Sequence, residues 1–212
     1  MSDWSSRAEA YRNAPEQREG ADLDLIVEWA QGSRTALDVA TGGGHVARRL
    51  REAGLEVVSL DPAPGMQPDV ISRAESIPFA DGTFDLVVSR IAPHHFEDIA
   101  AAIAEMARVS SDLVVVEDTL YVSEQVEEAE QLRDPTHVRS YSEEEWRSLL
   151  EAAGLEIEQV ESFEKRHALE EWLDRSDTPE ADKPRVKELL ADQIEGDEYV
   201  DTKLVLRARK AA

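Results

Sequence analysis

The chain runs to 212 residues with no cysteine, and 46 acidic against 23 basic residues give a formal net charge of −23. That length suits one hydrophobic core and is short for two, while the absent cysteines exclude disulfides and thiolate metal sites. So negative a field repels nucleic-acid backbones and anionic membrane. No apolar run approaches the ~18 residues of a membrane span and no signal-peptide core opens the chain. The expected setting is a cytoplasmic monomer or homodimer with neither nucleic acid nor membrane as partner. Only five of the basic residues are lysines. Two readings of this stay open, a salt-adapted surface whose self-repulsion is screened at high ionic strength and a coding bias on an ordinary acidic protein. The five histidines show no paired helical spacing, so no metal is expected.

Residues 1–20 are polar, with aromatic residues at Trp4 and Tyr11. Leu23, Ile26, Val27 and Ala30 then fall at i, i+3, i+4 and i+7, the stripe of an amphipathic helix. Residues 1–34 therefore read as an N-terminal helical cap. A strand at 35–40 carries Asp38 and breaks into Gly42, Gly43 and Gly44. A helix over about 44–53 follows and stops at Gly54, a residue suited to a helix C-terminus. The second strand, 56–60, leads to Asp61. Between it and a strand expected at 69–72 lie only residues 61–68, with prolines at 62, 64 and 68. That is too short and too proline-rich for the usual helical crossover, so a helix there is expected to be missing or reduced to one turn.

A strand at 84–89 precedes a helix within 96–109 that puts Ile99, Ile103 and Met106 on one face. The run 113–117 is a buried parallel strand by its continuous apolar character. Residues 119–141 read as a lid. Ser142-x-x-Glu145 is a capping box opening a helix that ends at Gly154, and Trp146 within it reads as core. A strand follows at 155–164. An acidic segment, 167–198, holds two helical pieces, 168–175 and 179–194, the second with Thr178 as N-cap and Pro179 at its first position. The last strand, 203–209, sets Leu204, Leu206 and Ala208 against Val205, Arg207 and Arg209, with Val205 breaking the alternation. The sum is a single α/β domain: a Rossmann-like, doubly wound, mostly parallel sheet with an antiparallel last strand, in three layers.

Buried strand, glycine turn and helix N-terminus together let a ligand approach bare backbone N–H groups and the positive end of a helix dipole. An acid after the second strand suits two ribose hydroxyls. Two cofactor classes compete. Gly42-x-Gly44-x-x-Ala47, with Asp61 nineteen residues beyond Gly42, satisfies the dinucleotide pattern. Asp38 and Thr41, directly before the glycines, suit instead a zwitterionic amino-acid tail whose ammonium a carboxylate holds directly or through water.

Leu37-Asp-Val-Ala-Thr-Gly-Gly-Gly-His45 resembles motif I of class I S-adenosylmethionine (SAM)-dependent methyltransferases. Ser59-Leu-Asp-Pro-Ala-Pro-Gly-Met66 is similar to the acidic motif that follows their second strand. Residues 73–90 resemble the adenine loop and next strand of the small-molecule branch that includes the menaquinone and ubiquinone C-methyltransferases, and Ile91-Ala-Pro-His-His-Phe96 matches what often comes after. The four motifs stand in family order and spacing across residues 36–117. The resemblance implies methyl transfer from SAM to a small-molecule acceptor, releasing S-adenosylhomocysteine (SAH). It implies cofactor contacts from Asp38, Ala40, Thr41, Gly42 and Gly44 around the methionine end, and from Asp61 and Pro62 at the ribose. It places Ala74 and Glu75 by the adenine, with Arg90 and Ile91 at the edge of the cavity. Arg73-Ala74-Glu75 departs from the Asp-Ala-Glu common in relatives and removes an acceptor for the adenine amino group. The short 61–68 link is expected to leave the adenine with less of a wall.

His95, and after it His94, are the catalytic candidates, because a neutral imidazole at the carboxyl edge of the sheet can take a proton from the acceptor. The plainer reading is that the pair starts a helix, and for Arg90 that it makes a salt bridge. Tyr11, His137, Arg139 and Trp172 are the acceptor-side candidates. Two other functions remain open at this point, an NAD(P)-binding oxidoreductase and a SAM-binding protein without catalysis.

Overall fold

Short β-branched runs interleaved with amphipathic helices build the sheet in this computed structural model, which describes Ala8, Tyr11, Arg12 and residues 15–211. Trp4 lies outside the described residues. The strands are β1 (Thr35–Val39), β2 (Glu56–Asp61), β3 (Val70–Ile71), β4 (Phe84–Arg90), β5 (Ser110–Thr119), β6 (Leu155–Ala168), β7 (Ile194–Glu195) and β8 (Glu198–Lys210). They lie in the order β3-β2-β1-β4-β5-β8-β6, with β7 paired to β8. Strands β1 to β5 pair in parallel, and β8 runs antiparallel between β5 and β6. The chain winds outward from β1 in one direction and from β4 in the other. The crevice between their carboxyl ends is thus the switch point where open α/β sheets bind ligands.

The helices are α1 (Pro15–Arg18), α2 (Ala21–Trp29), α3 (His45–Glu52), α4 (Ile99–Val109), α5 (Glu124–Arg133), α6 (Glu143–Ala152), α7 (Leu169–Arg175) and α8 (Lys183–Leu189). Alternate strand residues feed two cores. Leu37, Val87, Val114 and Leu206 pack with Ile103 and Met106 of α4 and Trp146 of α6. On the other face Ala36, Leu86, Val88, Val115 and Val205 pack with Leu23, Ile26 and Trp29 of α2 and Leu50 of α3. Val205 breaks the polar alternation of β8 because that strand is covered on both faces at this point. A third cluster joins Val126 and Ala129 of α5 to Trp172, Leu173, Val186, Leu189 and Tyr199. The segment expected to be a lid and the acidic segment near the C-terminus therefore share one small core beside the sheet.

Local signals set most boundaries. Ser142 Oγ accepts from the Glu145 N–H at 3.2 Å, and the Glu145 carboxylate accepts from the Ser142 N–H at 2.8 Å. Ser142→Ala should cost about 1 kcal/mol, read as a lower urea midpoint at an unchanged m-value. Between β2 and β3 the three prolines leave one 3₁₀ turn, Pro64–Met66, and β3 falls within the expected span.

Several elements differ from the sequence reading; β8 starts at Glu198, not 203, because it pairs there with β7 and the end of β6. Helix α5, capped by Ser123, occupies the middle of residues 119–141. Strand β6 continues to Ala168 because β8 pairs with it along its length, out to Ala168 opposite Glu198. The last helix starts at Lys183, not 179, and ends at Leu189. Thr178 does not cap it; the hydroxyl turns back to the carbonyl oxygens of Leu173 at 2.7 Å and Arg133 at 3.1 Å. No helix among the described residues is long and apolar enough to cross a membrane. No group of three or more His, Cys, Asp or Glu among them could hold a metal ion.

Candidate active site

The chain leaves β1 through Ala40, Gly42 and Gly44, all in the left-handed region at φ 55°, 51° and 75°. Gly44 caps α3 in this conformation. Gly43 is required for a different reason: a Cβ there would sit 2.7 Å from His45 Nε2 and 3.0 Å from the Tyr11 carbonyl. Asp38, at the end of β1, holds the loop to the helix. Its Oδ2 accepts from Thr41 Oγ1 at 2.5 Å and from the Ala47 N–H at 3.0 Å. Its Oδ1 takes no hydrogen bond among the described residues. Burial pushes its carboxyl up to about 6, against the pull of the Thr41 and Ala47 bonds. Asp61, at the end of β2, accepts from the Gly42 N–H at 3.0 Å and the Ala63 N–H at 2.9 Å, and burial raises its pKa too. The two acids thus make the local turns, as turn formers do, and also stand at the mouth of the glycine loop.

A cavity of about 800 Å³ opens at this loop. Asp38, Ala40, Thr41, Gly42, Asp61, Pro62, Ala74, Glu75, Arg90 and Ile91 all line it; Gly44 does not. The turn after β2 contributes Ala63, Pro64 and Met66 to the lining, so the short link forms a wall where little was expected. Arg12 donates to the Gly65 carbonyl at 3.0 Å and ties that turn to the N-terminal cap. Glu75 braces the opposite rim, accepting from the Glu97 N–H at 2.9 Å and pairing with Arg73.

Arg90 touches the cavity, but its guanidinium is committed behind it. Its Nε lies 2.9 Å from Asp22 Oδ2 and 3.0 Å from Glu117 Oε2, and Lys165 Nζ donates to the same Asp22 oxygen at 2.7 Å. These buried charges join α2, β4, β5 and β6. Burial acts to raise Asp22, but Arg90 and Lys165 outweigh it and hold the carboxyl well below its usual range. Burial wins at Glu117 and pushes it up to about 7 despite Arg90.

Beyond β4, a 3₁₀ turn (Pro93–His95) presents both histidines. His94 Nδ1 is 2.5 Å from Asp118 Oδ1, and the His94 backbone N–H donates to Asp118 Oδ2 at 2.7 Å. His95 Nδ1 is 3.0 Å from the Thr136 carbonyl oxygen. Burial, then the neighbouring His94 ring, hold His95 well below the ordinary imidazole value. His137 Nε2 is 3.0 Å from Glu127 Oε2. The His94 ring centroid lies 4.0 Å from that of His95 and 5.3 Å from that of His137.

These rings line a second, smaller chamber of about 50 Å³, together with Tyr11, Trp172 and Lys203. Tyr11, Gln17, Ile91 and His95 border both spaces. Ile91, at this junction, holds φ 50°, a strained conformation for a β-branched residue of the kind that clusters at functional sites. Arg139 lies apart: it pairs with Glu145 on the surface, stacks near Tyr141 and lines neither space. Sequence reasoning missed Asp118, Asp22, Glu117 and Lys165. Only the Glu117-Asp118 pair carried a signal, as acids at the carboxyl end of a buried strand.

Comparison with known proteins agrees with this geometry. A model of a family described as a methyltransferase domain matches residues 7–160. The uncharacterized methyltransferase YcgJ of Bacillus subtilis is 30% identical over 201 residues, covering 83% of this chain and 79% of that protein. The crystal structure of Bacillus subtilis YcgJ has the same fold, with a TM-score of 0.81 at 23% identity over 90% of this chain and 98% of that one. A demethylmenaquinone methyltransferase of Thermus thermophilus is 36% identical over 124 residues, 46% of this chain and 56% of that protein. The strand order, the glycine loop with its two acids and these similarities agree on one assignment, and the chain belongs to the methyltransferase domain family as a Rossmann-like methyltransferase.

Proposed function

We propose that the protein transfers a methyl group from SAM to a small-molecule acceptor, with the cofactor in the larger cavity and the acceptor entering from the histidine-lined chamber. One observation carries this reading: two buried carboxylates, Asp38 and Asp61, flank the glycine loop at the cavity wall. A dinucleotide would bring its pyrophosphate against Asp38, and like charges at close range in a buried site repel strongly, whereas Asp61 suits the ribose hydroxyls of either cofactor. A zwitterionic amino-acid tail and a ribose diol supply instead the ammonium and hydroxyl donors that carboxylates accept. That favours SAM over NAD(P).

The residues present fit the cofactor. Asp38 would hold the ammonium through its open Oδ1, Asp61 the ribose hydroxyls through its remaining lone pairs, and the Ala74 backbone the adenine edge. SAM supplies a methyl carbon already bonded to an activated leaving group. The protein's share is then alignment of the acceptor and removal of a proton where the acceptor carries one. The chamber and cavity share Ile91 and His95 as a border, which gives an acceptor a route to the cofactor. Released SAH, measured over a panel of phenols, quinols and amines, tests the reading. Turnover of one member supports it, and none with any member would leave a binding protein without catalysis.

Asp38 makes the cofactor step sensitive to pH. An ammonium beside it favours the ionised carboxylate, so its pKa falls on binding and a proton is released. SAH affinity should rise up to tenfold per pH unit below 6 and level off above, the pH set by the value of about 6 for Asp38. Titration calorimetry in buffers of differing ionisation enthalpy reads the released proton. Folding runs the other way. With its folded pKa raised above the ordinary 3.8, Asp38 contributes stability below that value that is lost as pH rises through about 6. Asp38→Asn should therefore weaken SAH binding, flatten its pH dependence and raise the melting temperature of the ligand-free protein at pH 7.

A further inference from the structure

Four of the chain's five histidines, His94, His95, His137 and His167, line the small chamber. Arg133, Arg175 and Lys203 line it with them, against the carboxylates of Glu130 and Asp201. Two further acids stand behind this wall: Asp118 holds His94 and Glu127 holds His137, and neither lines the chamber. A chain with a formal charge of −23 thus makes one small interior space basic. With the imidazoles neutral, the excess on the wall is a single positive charge.

Donors on this wall are left over. His167, near the end of β6, is 5% exposed, and neither of its ring nitrogens has a hydrogen-bond partner; Nε2 stands 3.3 Å from Asp201 Oδ2, outside hydrogen-bond geometry. Either neutral tautomer of the ring carries an N–H, so one donor is unused. Lys203, from β8, is one of only five lysines and is 4% exposed. Of its three N–H groups, one goes to Asp201 at 2.8 Å and one to Thr119 at 2.5 Å, which leaves the third. Lys203 and His167 stand beside the same Asp201 oxygen and so converge at one place. Two acceptors are open as well, Asp201 Oδ1 and His137 Nδ1, the latter because Nε2 of that ring faces Glu127. Unpartnered buried groups are costly, and their gathering at one chamber points to a molecule that completes them. A carboxylate accepts from Lys203 and His167 and matches the single excess charge, which a phosphate dianion would overshoot. A hydroxyl on the same molecule donates to Asp201 or His137.

We propose that this wall anchors the methyl acceptor by a hydroxycarboxylate head, with Lys203 and His167 as the residues that select it. The proposal rests on the methyltransferase reading. Arg133, Arg175, Lys203 and His167 line the chamber and not the cofactor cavity, whereas Ile91 and His95 line both. The carboxylate therefore lies on the far side of the border from the cofactor, and the atom that takes the methyl group lies at the border. The acid is an anchor: the acceptor leaves the site still a carboxylate and not a methyl ester. Arg133 is engaged by Glu130 at 2.9 Å and by Ser176, with its guanidinium over the Trp172 ring, so its share is charge and not a free donor. Burying an anion is tolerated only where opposite charge and hydrogen bonds meet it, and within this acidic chain the chamber wall supplies both.

Glycolate, with glycolamide as its uncharged match, tests the anchor on the full chain. With SAH bound and sodium chloride held constant, glycolate should shift the imidazole ¹⁵N signals of His167 and His137 saturably. Glycolamide should bind at least tenfold more weakly, the loss expected of a hydrogen bond to a charged group. Lys203→Gln and His167→Gln should each weaken glycolate by a similar factor, read at His137, and leave SAH affinity within threefold. If Lys203→Gln does not fold, His167→Gln carries the comparison. No saturable shift, glycolamide binding as well as glycolate, or full glycolate affinity in the folded variants would overturn the proposal. SAH release then places the anchor in the reaction. 4-Hydroxymandelate should exceed 4-hydroxybenzyl alcohol at least tenfold in kcat/KM, and an alcohol turned over as well as the acid would overturn the proposal; where neither is turned over, the glycolate titration decides. Absence of glycolate binding beside bound SAH would overturn this proposal alone, whereas absence of SAH binding would overturn the cofactor reading.

Discussion

Asp61→Ala should weaken SAH binding at least a hundredfold. The carboxylate is placed to accept both ribose hydroxyls, and charge-assisted bonds of this kind contribute roughly 1.5–3 kcal/mol each. The same substitution removes the acceptor for the N–H groups of Gly42 and Ala63, so the glycine loop and the turn after β2 both lose an anchor. Some loss of melting temperature should accompany the loss of affinity. Asp61→Asn separates the two effects, because an amide oxygen still accepts one of those N–H groups while the charge is gone. It should keep most of the stability and lose most of the affinity. Unchanged SAH binding in either variant, by titration calorimetry, would show that Asp61 serves the turn alone.

Arg90→Leu should cost about 3–5 kcal/mol of folding stability, the range for removing one partner of a buried ion pair. Asp22 and Glu117 would be left facing one another with only Lys165 between them; Lys165 Nζ is 2.7 Å from Asp22 but 3.9 Å from Glu117. The deficit should shrink in acid. Glu117 is already pushed up to about 7 by burial, and without Arg90 it would take a proton more readily. Urea unfolding at pH 8 and pH 5.5 should therefore show a larger loss at the higher pH. Equal losses would mean that Glu117 is not the uncompensated charge. Because Arg90 also borders the cofactor cavity and reaches the Gln17 carbonyl at 3.2 Å, the variant should loosen the N-terminal cap.

What could be read from the sequence follows from the range of the interactions. The glycine turn, the Ser142 capping box and the triple-proline link are local signals, decided by conformational restriction within a few residues, and each appears where the sequence put it. The doubly wound, mostly parallel class of the sheet was legible because short apolar runs separated by helical stretches admit few arrangements. Legibility failed where distant segments decide. Thr178 has the chemistry of an N-cap, but its hydroxyl turns back to Leu173, five positions earlier, and to Arg133, forty-five away. Strand β6 outruns its sequence pattern because β8 offers it a ladder. The 62–66 turn walls the cavity and is tied to Arg12, a contact across fifty-three positions.

At the site, Asp38 and the glycines before the first crossover helix were visible because they lie within one motif, and Asp61 because it closes the second strand. The partners that orient the histidines were not. Asp118 is twenty-four positions from His94, and Lys165 is 143 from Asp22. No periodicity links such residues. Arg139 shows the converse error, since a basic residue two positions after His137 looks aligned with it but turns outward to Glu145.

The central claim is that the glycine loop with Asp38 and Asp61 forms a cofactor site for SAM and not for a dinucleotide. Titration calorimetry of the full chain at pH 7.5 with SAH, SAM, NAD and NADP tests it most directly. The account predicts saturable one-to-one binding of SAH and SAM, lost in Asp61→Ala, with no comparable heat from either dinucleotide. Binding of NAD or NADP more tightly than SAH, or no heat from SAH at high protein concentration, would contradict it.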